Sequence, residues 1–357
     1  MRIVVTIQHP AHVHFFRHAI DELEDQGHEV FVFARENDLA VPLLEAYEIP
    51  HEVLVGQAGS LPGLAYVQLR YEYELFKRVR RLDPDVMTAI GGVAVAHVAP
   101  LVGAKSVVFL DNEGVQSHRL VSPFADVVAT PSHFRDDFGS AHHRYESFQE
   151  LAYLHPNRFE PDPDCLRGHG IDPSETYYVL RFRTWDALHD VGESGLTAAG
   201  KRTLVNMLAD RGDVYISSSD PLPDAFAQYS LPVPVTDIHG LLYYADGYAG
   251  DSATMATEAA LLGTPAVRIQ SFATSPEADM SNFVRLESDF GLLRSTADED
   301  RAVTMVDELS GDDAATERWR HRRESALEDL RDGTDVICEL LTGRPKSTPK
   351  VTIPAVE

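Results

Sequence analysis

Hydroxyl and carboxylate side chains cluster in Gly250–Val267, GDSATMATEAALLGTPAV, where a short apolar run gives way to a helical pattern. Ser252 or Thr254 can cap that helix, because a side-chain oxygen there accepts a hydrogen bond from a first-turn N–H group. Gly263 is predicted to end it. The remaining N–H groups and the helix dipole attract a phosphate. Glu258 lies one turn after Thr254 and can accept hydrogen bonds from ribose hydroxyls. The segment therefore predicts either a phosphate and ribose site, with Met255 beside it, or an ordinary capped helix with a surface Glu.

Two arginines, Arg181 and Arg183, stand at the end of the apolar run Thr176–Phe182. Side chains alternate along a strand, so both guanidinium groups would point to the same side of a sheet. A guanidinium group can hold a phosphate through two parallel hydrogen bonds. We predict that both arginines bind a diphosphate. The alternative is an ion pair with Asp186 or Asp190.

Three histidines lie within six residues in the stretch Gln8–Phe16, which joins a predicted strand to a helix predicted at Val13–Gln26. Imidazole can act as a general base near neutral pH or hydrogen-bond a phosphate. We predict His12 as the candidate base. The alternatives are that one of the histidines only caps the helix and that His14 turns inward. A His-x-His pair can also chelate a metal, but an acidic or Cys partner is missing nearby, and we predict no metal site.

Two carboxylates and an amide follow the predicted strand Lys105–Leu110, in the letters DNEG at residues 111–114. Burial at the end of a strand can raise the pKa of a carboxyl group toward an acid/base value. Asp111 and Glu113 are therefore candidate catalytic or orienting groups, and the alternative is that they cap the following turn. The pair Gly91–Gly92 predicts a tight turn between the preceding strand and its helix.

Short apolar runs alternate with helical patterns along the chain, which is typical of βαβ units and a mainly parallel sheet. The Pro- and Asp-rich stretch Leu154–Asp164 predicts a linker. We predict an α/β protein with domains at residues 1–160 and 161–342, the second ending in one helical region at Ala314–Leu341, and a mobile tail at residues 343–357. In open α/β sheets, ligands bind beyond the carboxyl ends of the strands, where all four groups of candidates lie.

The segment Asp251–Pro265 resembles the nucleotide-binding signature of glycosyltransferase-B-fold enzymes. The shared order of residues is acidic-Ser-small-small-Met-x-x-Glu-Ala-x-x-Leu-Gly-x-Pro. It is similar to that of UDP-N-acetylglucosamine 2-epimerases and of the peptidoglycan-precursor N-acetylglucosaminyltransferase. From Met1 to Leu293 the chain resembles the family known as domain of unknown function 354. The resemblance implies two Rossmann-like domains with a central cleft, a nucleotide-sugar donor on the C-terminal domain, and a ribose held by Glu258.

The first domain carries the same resemblance. His12 stands at the His of a Gly-Gly-His-Val loop that touches the acceptor or the donor phosphates, and Glu113 stands at a catalytic Glu of the 2-epimerases. Asp111 replaces a His of that epimerase segment and Gln116 replaces an Arg, which counts against epimerase chemistry. We predict a glycosyltransferase-like enzyme of surface polysaccharide or glycoconjugate synthesis. The alternatives are a UDP-sugar 2-epimerase and a non-catalytic nucleotide-sugar-binding subunit.

The composition excludes several classes of protein. The chain has 357 residues and a net charge of −25, which repels nucleic acid and suits a cytoplasm of high salt. The two cysteines predict no disulfide framework, and the start of the chain lacks the pattern of a signal peptide. Nucleotide-cofactor motifs are missing, so the sugar donor is a substrate and no cofactor is expected. The acceptor would be a sugar or a lipid-linked molecule, which allows peripheral membrane association in the cytoplasm; no particular oligomeric state is predicted.

Overall fold

The computed structural model describes residues 1–37, 39–56, 61–114, 118–182, 196–218, 221–270 and 273–345, with the backbone alone at 61–65. The chain divides into two compact units. The first consists of Met1–Phe159 and a stretch that begins at Leu330, and the second is Glu160–Asp329. The structure differs here from the prediction, which placed residues 330–342 in the second domain. Most of the predicted tail, residues 346–357, lies outside the described residues.

The first unit is built on a parallel sheet, to which the described residues contribute seven strands. The strands are β1 (Arg2–Ile7), β2 (Glu29–Arg35), β3 (His51–Val55), β4 (Val86–Ile90), β5 (Lys105–Phe109), β6 (Val127–Pro131) and β7 (His142–Tyr145). Their order in the sheet is β3-β2-β1-β4-β5-β6-β7. The chain thus adds strands on one side of β1, and then returns to add β4 on the other side.

Helices connect these strands and cover the sheet. They are α1 (Pro10–Asp25), α2 (Ala40–Ala46), α3 (Leu61–Leu82), α4 (Val93–Val102), α5 (His118–Val121) and α6 (Leu151–Leu154). The first helix buries Val13, Phe16, Ile20 and Leu23, whose spacing of three and four residues places them on one face. It begins at Pro10, before the predicted start at Val13, because Pro is favoured in the first turn and His9 caps it.

The second unit contains a smaller parallel sheet, in which the described part of the chain forms five strands. They are β8 (Tyr177–Phe182), β9 (Asp213–Ser218), β10 (Gly247–Gly250), β11 (Ala266–Ile269) and β12 (Arg294–Thr296), in the order β12-β11-β10-β8-β9. Its helices are α7 (Pro163–Gly168), α8 (Ala198–Ala209), α9 (Ile238–Tyr244), α10 (Ala253–Leu262), α11 (Ser281–Ser288), α12 (Glu299–Ser310) and α13 (Ala315–Asp329). The predicted α/β class with parallel sheets is confirmed.

The last helix, α14 (Gly333–Thr342), belongs to the first unit. The sequence predicted one continuous helical region here, but Asp332 interrupts it and caps α14 by accepting a hydrogen bond from Thr334 N at 2.9 Å. Arg158 holds this helix through its Nε and Nη2 atoms, which lie 2.7 Å from carboxylate oxygens of Asp332 and Asp335. These buried ion pairs explain why residues 330–342 pack with the first unit.

Among the described residues, no helix is both long enough and apolar enough to cross a lipid bilayer.

Candidate functional site

The second sheet has a topological switch point between β8 and β10. Strand β8 pairs with β9 on one side and with β10 on the other, so the chain reverses the direction in which it adds strands. In open α/β sheets the crevice beyond the carboxyl ends of two such strands is the usual ligand site. Arg181 lies near the end of β8, and α10 begins just after β10. The fold therefore brings together two groups of candidates that are about 70 residues apart in sequence.

The carboxyl ends of β8 and β10 approach closely at Gly250. Gly250 stands opposite Arg181 in the register, and Asp251 N donates a hydrogen bond to the Arg181 carbonyl oxygen at 3.1 Å. A Cβ atom on Gly250 would lie 2.4 Å from that oxygen. Because backbone atoms cannot move aside like a flexible side chain, Gly is required here.

Replacing Gly250 with Ala is expected to lower the free energy of unfolding by about 1–3 kcal/mol, the usual cost of overpacking. Urea denaturation measures this cost. Gly240→Ala is the matched control, because a Cβ atom on Gly240, within helix α9, meets no atom within 4 Å. Unchanged stability in Gly250→Ala would contradict the close approach of the two strands.

Helix α10 begins as the sequence predicted. Ser252 is its N-cap, with an extended backbone, and the Ser252 Oγ atom accepts a hydrogen bond from Met255 N at 3.3 Å. Thr254, the other predicted cap, is exposed on the first turn. Gly263 ends the helix in the left-handed conformation, as predicted. The first-turn N–H groups lack acceptors within the helix and face the switch point, where they can bind an anion.

Arg181 is tied to the neighbouring strand. Its Nη1 atom donates a hydrogen bond to Ser217 Oγ at 2.8 Å, at the end of β9. This contact keeps a half-buried cation at the carboxyl edge of the sheet. Arg183 lies outside the described residues, as do its alternative ion-pair partners Asp186 and Asp190, so their roles stay predictions.

Glu258 is not the surface residue of the alternative interpretation. It is 6% exposed, because α10 is buried along most of its length. Its Oε1 atom lies 3.1 Å from Nε2 of His239, which is 2% exposed and belongs to helix α9. The pair fixes the orientation of the carboxylate one turn below the first turn of α10.

The first sheet has its own switch point, between β1 and β4, and His12 follows β1 there. Burial lowers the pKa of His12, and together with the charges of the nearby His9 and Arg35 it brings this pKa to about 3. The imidazole is therefore neutral, and its Nδ1 atom accepts a hydrogen bond from Gln8 N at 3.4 Å. In that tautomer Nε2 carries the hydrogen. This arrangement suits donation of a hydrogen bond to a ligand oxygen better than removal of a proton.

The other two histidines of this loop have structural contacts. His9 Nδ1 accepts a hydrogen bond from Ala11 N at 3.2 Å and caps α1. His14 is buried, with Nδ1 3.4 Å from the Tyr47 hydroxyl and its ring 5.3 Å from that of Tyr153. Both positions match the structural alternatives drawn from the sequence.

The two carboxylates after β5 have different surroundings. Burial raises the pKa of Asp111 to about 6, although backbone N–H groups of Asp111 and Asn112 partly offset the effect. Asp111 therefore carries the properties of an acid/base group. Glu113 Oε1 instead accepts a hydrogen bond from Arg135 N at 2.6 Å and so holds the loop after β6. Gln116, at the Arg position of the epimerase segment, lies outside the described residues.

The Gly91–Gly92 turn after β4 is confirmed, with both residues in the left-handed region at φ 69° and 34°. A Cβ atom on Gly92 would lie 2.7 Å from both Cγ atoms of Val108. The turn thus requires Gly for its conformation and for its close approach to β5, and it leaves the start of α4 without a side-chain cap.

A family model described as "Protein of unknown function (DUF354)" matches residues 1–276, which is more than half of the chain. The chain belongs to this family. A comparison of this DUF354 protein with curated proteins finds no match.

Solved structures resemble the DUF354 chain along almost its full length. The spinosyn rhamnosyltransferase SpnG in complex with thymidine diphosphate has a TM-score of 0.62 at 13% identity, over 95% of this chain and 100% of that one. The glycosyltransferase VinC in complex with DTDP has a TM-score of 0.64 at 16% identity, over 96% of this chain and 99% of that one. The UDP-GlcNAc 2-epimerase from Methanocaldococcus jannaschii has a TM-score of 0.61 at 12% identity, over 96% of this chain and 100% of that one. At these identities the likeness shows the fold, which is of the predicted glycosyltransferase-B type.

Sequence reasoning missed several contacts at the two switch points. The partner of Glu258 is His239, which is 19 residues away and on another helix. Gln270, after β11, donates a hydrogen bond to the Asp251 carbonyl oxygen and so supports the loop after β10. Burial raises the pKa of the Tyr145 phenol, and the nearby carboxylate of Asp111 adds to this rise. Polar residues directly after a predicted strand are the signal that could have identified Gln270.

Proposed function

We propose that this DUF354 protein is a glycosyltransferase-like enzyme that uses a nucleoside-diphosphate sugar donor. The observation that carries the proposal is the switch point of the second sheet. Three features meet there within one unit: a cation on β8, the Ser-capped start of α10, and Glu258 on the next turn of α10, which is paired with His239 of α9. The cation and the helix dipole match the diphosphate of a nucleoside diphosphate, and the carboxylate matches its ribose.

Each residue has a stated role in this proposal. Arg181 and Arg183 bind the diphosphate oxygens and stabilise the charge that develops as the sugar departs. The first turn of α10, with Ser252, Thr254 and Met255, binds the phosphates through its N–H groups. Glu258 accepts hydrogen bonds from the ribose hydroxyls, and His239 orients it. The SpnG and VinC structures are complexes with thymidine diphosphate and DTDP, which supports a diphosphate ligand for this fold.

The first unit would supply the acceptor side of the reaction. His12 would donate a hydrogen bond from Nε2 to an acceptor or phosphate oxygen, and Asp111 would take the proton of the acceptor hydroxyl. Glu113 would act indirectly, because it positions the loop after β6. The acceptor would be a sugar or lipid-linked molecule of surface polysaccharide or glycoconjugate synthesis, in a cytoplasm whose salt screens the charge of −25.

The proposal is tested by titrating the full-length protein with UDP and thymidine diphosphate in high salt, followed by calorimetry. Arg181→Ala is expected to weaken binding about tenfold to hundredfold, or about 1.4–2.8 kcal/mol, as a charged hydrogen-bond donor is lost. The control is Arg202→Ala, which removes the same charge from an exposed position on α8. Equal affinities in the two variants would exclude Arg181 from the site.

Turnover separates transfer from binding alone. Release of the nucleoside diphosphate that depends on added acceptor supports a transferase. Tight binding of nucleotide sugars without any turnover across a panel of acceptors supports the non-catalytic subunit.

A second candidate function is a UDP-sugar 2-epimerase, and the observation in its favour is Asp111. A carboxyl group with a pKa of about 6 suits the proton transfers of epimerisation. Incubation with UDP-N-acetylglucosamine alone would give a C2 epimer if this function is correct. A mixture that keeps its original configuration excludes it.

A further inference from the structure

Three side chains of types that bind metals meet in the second unit, apart from the switch point residues. Cys165 lies on α7, His169 follows it, and Asp237 precedes α9. The Asp237 Oδ2 atom is 2.8 Å from His169 Nε2 and 3.3 Å from Cys165 Sγ, and the three donor atoms all lie within 4.8 Å of one another. Each side chain is half-buried, so the group is accessible to an ion from solvent.

The orientation of Asp237 is unusual for its position. It is the N-cap residue of α9, where Asp ordinarily accepts a hydrogen bond from a first-turn N–H group, yet its side chain makes no capping bond. The carboxylate turns instead toward Cys165 and His169. Its other oxygen, Oδ1, accepts a hydrogen bond from Thr236 Oγ1 at 3.0 Å. Carboxylates that bind metals are held in this way by a hydrogen bond to the oxygen away from the ion.

The spacing on α7 also fits a pair of ligands. Cys165 and His169 are four residues apart, which places them as neighbours on one side of a helical turn. Gly170 follows in the left-handed conformation at φ 81° and ends the turn immediately after His169. The two side chains therefore face Asp237 from one short element, while Asp237 comes from an element 68 residues further along the chain.

We propose that Cys165, His169 and Asp237 form a site for a divalent transition-metal ion of the zinc type. An ion about 2.0 Å from nitrogen and oxygen and about 2.3 Å from sulfur would need these atoms roughly 3.3–3.6 Å apart in a tetrahedron. The distances from Asp237 Oδ2 to His169 Nε2 and Cys165 Sγ are 2.8 Å and 3.3 Å, and the sulfur and the imidazole nitrogen lie within 4.8 Å of each other. Rotation of these half-buried side chains can bring the three donor atoms to the separations that the ion needs. Binding releases the thiol proton, because the thiolate is the ligand.

The set of ligands selects the class of ion. A thiolate and an imidazole favour zinc or cobalt over magnesium and calcium, which prefer oxygen ligands. Among the residues that the structure describes, three contribute donor atoms, which leaves a fourth position for water or a substrate group. The ion would join α7 to the start of α9, the helix that carries His239 two residues after Asp237. This inference stands apart from the proposed function, since it needs no nucleotide.

Cobalt(II) titration of the reduced, full-length protein tests the site, because cobalt bound to a thiolate absorbs in the visible and near-ultraviolet regions. We expect one equivalent to give a sulfur-to-cobalt charge-transfer band that zinc abolishes. The band is expected to disappear in Cys165→Ser. In His169→Ala the apparent affinity for cobalt, read from the same band, is expected to fall at least about tenfold. Cys338→Ala is the control, because Cys338 is buried in α14 and should leave the band unchanged.

Alkylation of the unmodified protein gives a test that needs no variant. Zinc is expected to slow the reaction of Cys165 with iodoacetamide at least about tenfold, as read by peptide mass spectrometry, because the bound thiolate is no longer free to attack. The proposal is overturned if cobalt gives no charge-transfer band at one equivalent, if the band persists in Cys165→Ser, or if zinc leaves the alkylation rate of Cys165 unchanged.

Discussion

Replacing Arg158 with Met is expected to lower the free energy of unfolding of the first unit by about 3–5 kcal/mol. Arg158 contacts Asp332 and Asp335 at 2.7 Å and Glu22 at 3.0 Å. Asp332 is 0% exposed and Asp335 is 4% exposed. Without the guanidinium group, two buried carboxylates would face each other with no positive charge of Arg158 to offset theirs. This uncompensated buried charge is the source of the large effect. Urea denaturation measures it, and hydrogen exchange of α14 locates it.

The same variant should show a pH dependence of known sign. Burial raises the pKa of Asp332, and Arg158 partly offsets the rise. A carboxyl group whose folded pKa is raised stabilises the fold at low pH, and this contribution is lost as the pH rises through the folded pKa. In Arg158→Met the pKa of Asp332 should rise further. The destabilisation should therefore be full at neutral pH and shrink as the pH falls toward about 4, the ordinary carboxyl value.

A matched substitution separates the buried network from charge in general. Arg78→Met also removes a guanidinium group that contacts two carboxylates, those of Glu52 and Glu74. Those ion pairs are more exposed, so water screens them and the expected cost is much smaller than in Arg158→Met. Equal losses in the two variants, or a loss in Arg158→Met that grows as the pH falls, would contradict the buried network.

Replacing His239 with Ala is expected to cost the second unit about 3 kcal/mol and to weaken nucleotide binding about tenfold. The stability effect arises because Glu258 is left buried without the imidazole at 3.1 Å. The binding effect arises because the carboxylate loses the contact that orients it toward the ribose. Chemical denaturation and calorimetry with UDP measure the two effects separately.

A double-mutant cycle isolates this pair. The combined loss in His239→Ala with Glu258→Ala should be smaller than the sum of the single losses by about 1–3 kcal/mol. His239→Gln keeps a donor and should recover part of the nucleotide affinity, which a purely structural role would not require. His321→Ala, an exposed position on α13, is the control. Nucleotide affinity that is unchanged in Glu258→Ala would contradict the assignment of the site.

Local patterns were sufficient to predict most of the fold. Buried parallel strands such as β1, β4 and β5 are short runs of apolar, β-branched residues that end at polar or Gly residues, and this pattern is specific. The start and end of α10 were predicted equally well, because Ser252 and Gly263 act through their own backbone neighbours. Features that depend on residues close in sequence could therefore be predicted.

Features that depend on distant residues could not. The strands β7, HHRY, and β12, RST, lie at the sheet edges and are polar, so no apolar run marks them. The packing of α14 with the first unit depends on Arg158, which is far away in the sequence. The burial of Glu258 likewise follows from the packing of α9 against α10. Helical periodicity gives its angular position on α10 but does not identify the surface that covers it.

The return of the chain to the first unit at Leu330 has a consequence for synthesis on the ribosome. The whole of Glu160–Asp329 is translated before α14 exists, so the second unit can fold while the first is still missing its last helix. Until Thr334 has been translated, the Ala152 carbonyl oxygen lacks the hydroxyl group that lies 2.7 Å away in the folded protein. The nascent chain therefore exposes a face of α1 and α6, and the first unit is completed only after the whole of Glu160–Asp329 has been translated.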